Sequence, residues 1–199
     1  MDLLEFDKTA VLETVRLASE HDLTDLTAPT PCADWTLGQL LSHMAGQHHG
    51  FAAAARGDGG EASVWEDRAL GDDPLGAYRA AAETVLAAFA EPGVLEREFQ
   101  IPEITRAITF PGRMAVGFHF LDYVVHGWDL ARTLGTELKL PGELHGAVLA
   151  VAQQVPNDES RLGPNALFAP SLTPAPGADP LDQTLALVGR SPDWIPPRR

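Results

Sequence analysis

The chain is 199 residues long, is 45% hydrophobic and 21% charged, and carries 28 acidic against 14 basic side chains for a net charge of −14. That length can bury one substantial core without staples, and so large a negative charge repels phosphate backbones and anionic lipid, which argues against nucleic acids and membranes as partners. Cys32 is the single cysteine, which rules out an internal disulfide and a thiolate-rich metal centre; the N-terminal residues show no basic stretch ahead of an apolar run, so a cytoplasmic protein is expected.

Leu4, Val11, Leu12, Val15 and Ala18 recur at helical spacing and predict a first amphipathic helix that ends at Glu20-His21-Asp22. Pro29 and Pro31 break the pattern, and Leu37, Leu40, Leu41, Met44, His48 and Phe51 then define a second helix, with Asp34 or Thr36 as its N-cap. The glycine-rich stretch from Gly57 to Asp73 reads as a mobile loop. A third helix begins at Pro74, buries Tyr78, Ala82, Val85 and Phe89, and stops at Glu91-Pro92-Gly93. Arg97–Ile101 and Thr105–Thr109 are the best strand-like text and suggest one short hairpin. A fourth helix follows Pro111-Gly112 and runs to about Leu134, with Gly135 as its stop. A fifth is predicted from Pro141 to about Val155, then a Pro/Gly-rich stretch, then a short helix from Asp182 to Val188.

The fold expected is all-α: a four-helix bundle with additional short C-terminal helices and one short hairpin. Residues 1–155 would form the bundle and residues 156–199 a Pro/Gly-rich extension whose short helix packs on it. Apolar residues in Ala166–Pro170 would dock on the bundle or on a second copy, so a homodimer is an option.

Two fragments carry the chemistry: Leu40–Ala45 with His43, and Asp122–Leu130 with Asp122, His126 and Asp129. Asp122 and His126 are one turn apart on one helix face, and His119 lies a further turn back on the same side. Two imidazoles and a carboxylate suit a divalent transition metal with open positions. Asp129 could orient His126 by accepting its second N–H. By spacing alone, a surface hydrogen bond fits Asp122 and His126 equally well, and a lone histidine beside an apolar stripe is commonly a core residue; His48 reads as such, and His49 as outward-facing. Cys32 reads as part of a structural turn, with a nucleophile near a helix N-terminus as the alternative. Trp35 and Trp128 flank the two fragments as core or as pocket walls, and Arg56, Arg106 and Arg113 are candidates to hold an anionic substrate.

The run Thr30–His43, with Thr30-Pro31-Cys32-Ala33-Asp34-Trp35 leading to His43, resembles the entry to the second helix of the DinB-like four-helix metal-binding superfamily. It is similar in particular to the N-terminal domains of mycothiol-dependent maleylpyruvate isomerases, and Asp122-x-x-x-His126-Gly127-Trp128-Asp129-Leu130-Ala131-Arg132 resembles that branch's second signature. The closing Pro180–Pro192 resembles the tail of a compact subgroup described only as metal-binding.

The resemblance implies a divalent metal held by His43, Asp122 and His126, with zinc, nickel and iron not distinguished, and mycothiol as the co-substrate. The chain departs from the isomerase pattern in carrying Asp where that pattern has Glu, and the stretch after Val155 is too short for the isomerases' separate C-terminal domain. The implied activity is thiol transfer or isomerisation: a low-molecular-weight thiol, ionised on the metal, attacks a small-molecule electrophile, with His119 as the proton shuttle. The alternative is a non-catalytic metal- or ligand-binding regulatory bundle.

Overall fold

The computed structural model describes residues 2–32, 35–163 and 166–196. Its first helix, α1 (Leu3–Glu20), starts at Asp2, whose carboxylate accepts from the Glu5 backbone N–H, and buries Val11, Leu17 and Ala18 on one stripe. Helix α2 (Leu37–Arg56) is started by a capping box in which Thr36 accepts from the Gln39 N–H while the Gln39 side chain accepts from the Thr36 N–H. Thr36 is therefore the cap, and the other candidate, Asp34, lies outside the described residues. Pro74 opens α3 (Pro74–Phe89) behind an Asp73 cap. Helix α4 (Gly112–Thr133) is followed by Gly135 at φ 70°, a left-handed stop that a side chain would resist. Helices α5 (Gly142–Ala152) and α6 (Pro180–Leu187) complete six α-helices among the described residues.

α1 packs on α4, α4 on α2, α2 on α3 and α3 on α1, which closes a four-helix ring. One core gathers Leu17, Leu40, Met44, Phe120, Tyr123 and Leu130, and a second gathers Phe51, Trp65, Phe89, Phe99 and Val116 toward one end. Gly127 lets α1 come close, because a Cβ there would stand 3.1 Å from Thr14 Cγ2. α5 packs on α4 and α6 on α5, and the strap between them is clamped by Arg161, which donates to the carbonyls of Val155, Pro156, Ala169 and Leu187. Phe168 is partly buried against the main core, whereas Leu167 beside it is exposed.

Two local expectations need correction. The hairpin pairs β1 (Glu98–Phe99) with β2 (Phe110–Pro111), in register Phe99↔Phe110, and does not use Thr105–Thr109. Phe99 and Phe110 both bury their rings, whereas Ile108 is 61% exposed, so pairing follows burial over alternation. The glycine-rich stretch 57–73 is pinned, not free. Trp65 is buried against Gly50, where a Cβ would collide with the indole, and its N–H donates to the Gly59 carbonyl at 2.8 Å. Gly46 likewise admits the Glu66 carbonyl.

A polar relay crosses the apolar interior. His119 Nδ1 donates to Asp7 Oδ1 at 2.6 Å, and His119 Nε2 meets His48 Nδ1 at 3.2 Å, joining α1, α4 and α2. Both histidines are fully buried and stack on Tyr123, whose hydroxyl donates to the Met44 carbonyl. With both rings neutral, His48 Nδ1 carries the donated proton and its Nε2 is left without a partner among the described residues.

Burial, then the charges of His119 and His49, hold the His48 pKa well below its ordinary 6.5. The unfolded chain protonates His48 below pH 6.5 and the folded chain does not, so His48 costs stability as pH falls through that range, by up to about 1.4 kcal/mol per pH unit. Urea midpoints from pH 8 to 5 should fall less steeply in His48→Gln than in the parent; equal slopes would show that His48 is not the titrating group.

Candidate metal centre

The site forms where α2 faces the middle of α4. The capping box fixes where α2 begins and hence where His43 sits, while Asp122 and His126 project one turn apart from α4. One ligand atom from each of His43, Asp122 and His126 lies within 4.8 Å of the others. His126 Nε2 is 3.4 Å from Asp122 Oδ1, and the rings of His43 and His126 meet edge-on with centroids 5.5 Å apart. Trp35 flanks both, 4.7 Å from His43 and stacked on His126 at 6.1 Å, so it lines the site as well as packing on the core.

Each imidazole is held from behind by a carboxylate. His126 Nδ1 donates to Asp129 Oδ2 at 3.0 Å, the contact their spacing suggested, and His43 Nδ1 lies 3.3 Å from Asp67 Oδ1. Both rings are thereby left with Nε2 for an ion, the usual carboxylate–histidine–metal arrangement. Asp129 is itself fully buried and receives Arg190 through Nε at 3.0 Å and Nη2 at 3.0 Å. Burial opposes the charge on Asp129, but His126 and Arg190 overcome it and hold the carboxyl below its ordinary pKa.

The two histidines are electrostatically unlike. Burial works against protonating His126, yet Asp122 and Asp129 outweigh it and raise its pKa. Burial and the charge of His126 lower His43, against the pull of Asp122 and Asp67. One positive charge is therefore welcome between the rings and two protons are not. The residues fit a divalent cation on a further ground: Asp122 Oδ2 is buried without a hydrogen-bond partner among the described residues. Donors this close are within reach of one ion with bonds of about 2.0–2.2 Å, and three protein ligands leave positions open.

A second donor group, Cys32, His126 and Asp129, is filled by the protein itself, because the Arg190 guanidinium lies against both Asp129 and Cys32 Sγ. Burial above all pushes the Cys32 thiol up to about 12, so it stays protonated at neutral pH and is no nucleophile.

His119 must be corrected. It shares the α4 face with Asp122 and His126, but a turn further back α1 and α2 close over it, and both its ring nitrogens are taken by Asp7 and His48. With no exposed surface it cannot shuttle a proton to a substrate. Trp128 is buried beneath Arg132, and Arg56 is paired with Glu91. Arg106 lines a 330 Å³ pocket that contains none of the donors. Arg113 lines a larger cleft of 970 Å³ that does include Asp122. Sequence reading missed Asp67 and Arg190. Asp67 sits in a segment without periodicity, laid along α2 by mutual bonds between Ser42 and Arg68; Arg190 is 61 residues from the carboxylate it pairs with. The one available hint was a cation just past the last helix of a very acidic chain.

The family model for the mycothiol maleylpyruvate isomerase N-terminal domain matches residues 9–131, which contain all three donors. Two uncharacterized proteins of Mycobacterium tuberculosis, from strains CDC 1551 / Oshkosh and ATCC 25618 / H37Rv, are each 32% identical over 168 residues, covering 83% of this chain and 85% of theirs. A crystal structure of the mycothiol-dependent maleylpyruvate isomerase superposes with a TM-score of 0.65 at 13% identity, spanning 100% of this chain and 98% of that one. A DinB-like protein from Bacillus subtilis superposes with a TM-score of 0.54 at 16% identity, over 70% of this chain and 97% of that one.

His43→Ala and His126→Ala should each lose stoichiometric divalent metal while keeping their helical circular dichroism; full metal retention in both, by elemental analysis, would remove the site as drawn. Asp129→Asn, which leaves the three donors intact, is expected to weaken metal affinity by about 10–100-fold in a chelator competition.

Proposed function

The chain belongs to the mycothiol maleylpyruvate isomerase N-terminal domain family, and on that premise we propose that it is a divalent-metal-dependent enzyme that activates a low-molecular-weight thiol, mycothiol, for transfer to or isomerisation of a small electrophile. The observation that carries this reading is the unpartnered Asp122 Oδ2 between two backed imidazoles, at the edge of a cleft large enough for a substrate. Zinc, nickel, iron and cobalt all suit such donors, and a divalent ion bound there supplies Lewis acidity and ionises a coordinated thiol at neutral pH.

The protein's own residues do the remainder. Asp129 and Asp67 hold the imidazoles in the tautomer that offers Nε2, and Trp35 covers one side of the pair. Glu103 lines the same cleft as Asp122 and accepts from the Gln47 side chain at 2.9 Å. Burial first, then the charges of Asp122 and Asp67, raise its pKa, so it replaces His119 as the group suited to hold and release a proton beside the substrate.

Cobalt-substituted protein titrated with mycothiol tests the reading. A change in the visible cobalt spectrum, absent in His126→Ala, is expected. A spectrum unmoved by mycothiol or any other small thiol would favour instead a metal- or ligand-storing regulatory bundle.

A further inference from the structure

The 970 Å³ cleft has a direction. Along α4 it is lined by Arg113, Met114, Gly117, Phe118, Leu121 and Asp122, three pairs spaced four residues apart and so one continuous face of the helix. Nine residues at about 1.5 Å each separate Arg113 from Asp122 by about 13.5 Å along the axis. The rest of its lining includes Phe51, Ile101, Val151, Val155 and Leu167 and is mainly apolar. One end is acidic, with Asp122 at the metal centre and Glu103 near it; the other end carries a cation.

That cation is Arg113. It is exposed and makes no hydrogen bond or ion pair with any described residue. The cleft's other arginine, Arg161, cannot take its place, because five acceptors, namely the carbonyls of Val155, Pro156, Ala169 and Leu187 and the Ser171 hydroxyl, already hold its guanidinium. Between the two ends sits Gly117. Glycine inside a helix costs about 1 kcal/mol relative to alanine, and packing does not demand it here: Gly117 is buried, yet a Cβ would meet nothing within 4 Å. What a side chain at 117 would occupy is the cleft.

We propose that this cleft binds an amphipathic carboxylate lengthwise, with its carboxylate on Arg113, its apolar body over Gly117 and Phe118, and its far end at the metal centre. The ligand class is thus a medium-chain or extended apolar acid, not a small dicarboxylate, which is too short to span the cleft and, held on Arg113, would set its second charge in the apolar middle. The reacting role of the far end rests on the thiol-activating reading above; the binding mode does not.

Decanoate, decanol and maleate are therefore titrated into the protein as purified, without thiol, by calorimetry. Decanoate should bind more tightly than maleate, which reaches only one end of the cleft. Arg113→Gln should weaken decanoate by about 10–100-fold, the loss of a charge-assisted hydrogen bond, and leave decanol within about twofold. Gly117→Leu should weaken both ligands at least about tenfold while melting no lower than the parent, since leucine is the better helix former. Absence of decanoate binding, decanoate affinity unchanged in Arg113→Gln, or affinity for both ligands unchanged in Gly117→Leu would each overturn the proposal. Because no thiol is present, a cobalt spectrum indifferent to mycothiol alongside intact decanoate binding would remove the enzyme reading and leave this one standing.

Discussion

The buried Asp129 carboxylate is the point on which the site and the C-terminal segment jointly depend. It accepts His126 on one oxygen and the Arg190 guanidinium across both, with no exposed surface of its own. A carboxylate so placed is tolerable only because both partners are present; removing one partner of a buried pair typically costs about 3–5 kcal/mol. The pair thereby ties the tail beyond α6 to the centre of α4, and the same carboxylate fixes which nitrogen His126 turns toward Asp122. Orientation of a candidate metal donor and attachment of the tail are one interaction.

The same economy recurs across the bundle. α4 has no clean apolar stripe, because its buried residues include His119, His126 and Asp129 beside Phe120, Tyr123 and Leu130. Two of these buried polar groups are carried by partners from other elements, Asp7 from α1 and His48 from α2 for His119 and Arg190 from the tail for Asp129, while His126 is held by Asp129 of α4 itself. α4 is thus held by specific polar contacts to its neighbours as well as by apolar packing, and its register against α2 is set by them. That register matters, since a shift of one residue would turn Asp122 and His126 about 100° away from His43.

Asp122 stands at one end of the cleft that runs along α4 to Arg113. The short aspartate side chain keeps its oxygens close to α4, on the line of the face that Gly117 and Phe118 continue. The candidate metal donor and the cleft therefore lie along a single helix.

Much of the architecture was legible before any coordinates. Apolar periodicity delimited the helices within a few residues, because helices here are bounded by strong local signals: a threonine cap at Thr36, proline at Pro74, and a left-handed glycine at Gly135. The i, i+4 pair of Asp122 and His126 and the i, i+3 pair of His126 and Asp129 are equally local, so their proximity follows from helix geometry alone. Tertiary structure decided what spacing along one helix cannot: that His43 of α2 meets Asp122 and His126, that Asp67 and Arg190 stand behind, and that His119, on the same face, is sealed under α1. It also moved the hairpin to Phe99 and Phe110 and pinned the glycine-rich loop on α2 through Trp65. In each case the deciding term was burial against a partner distant in sequence, which periodicity and propensity do not encode.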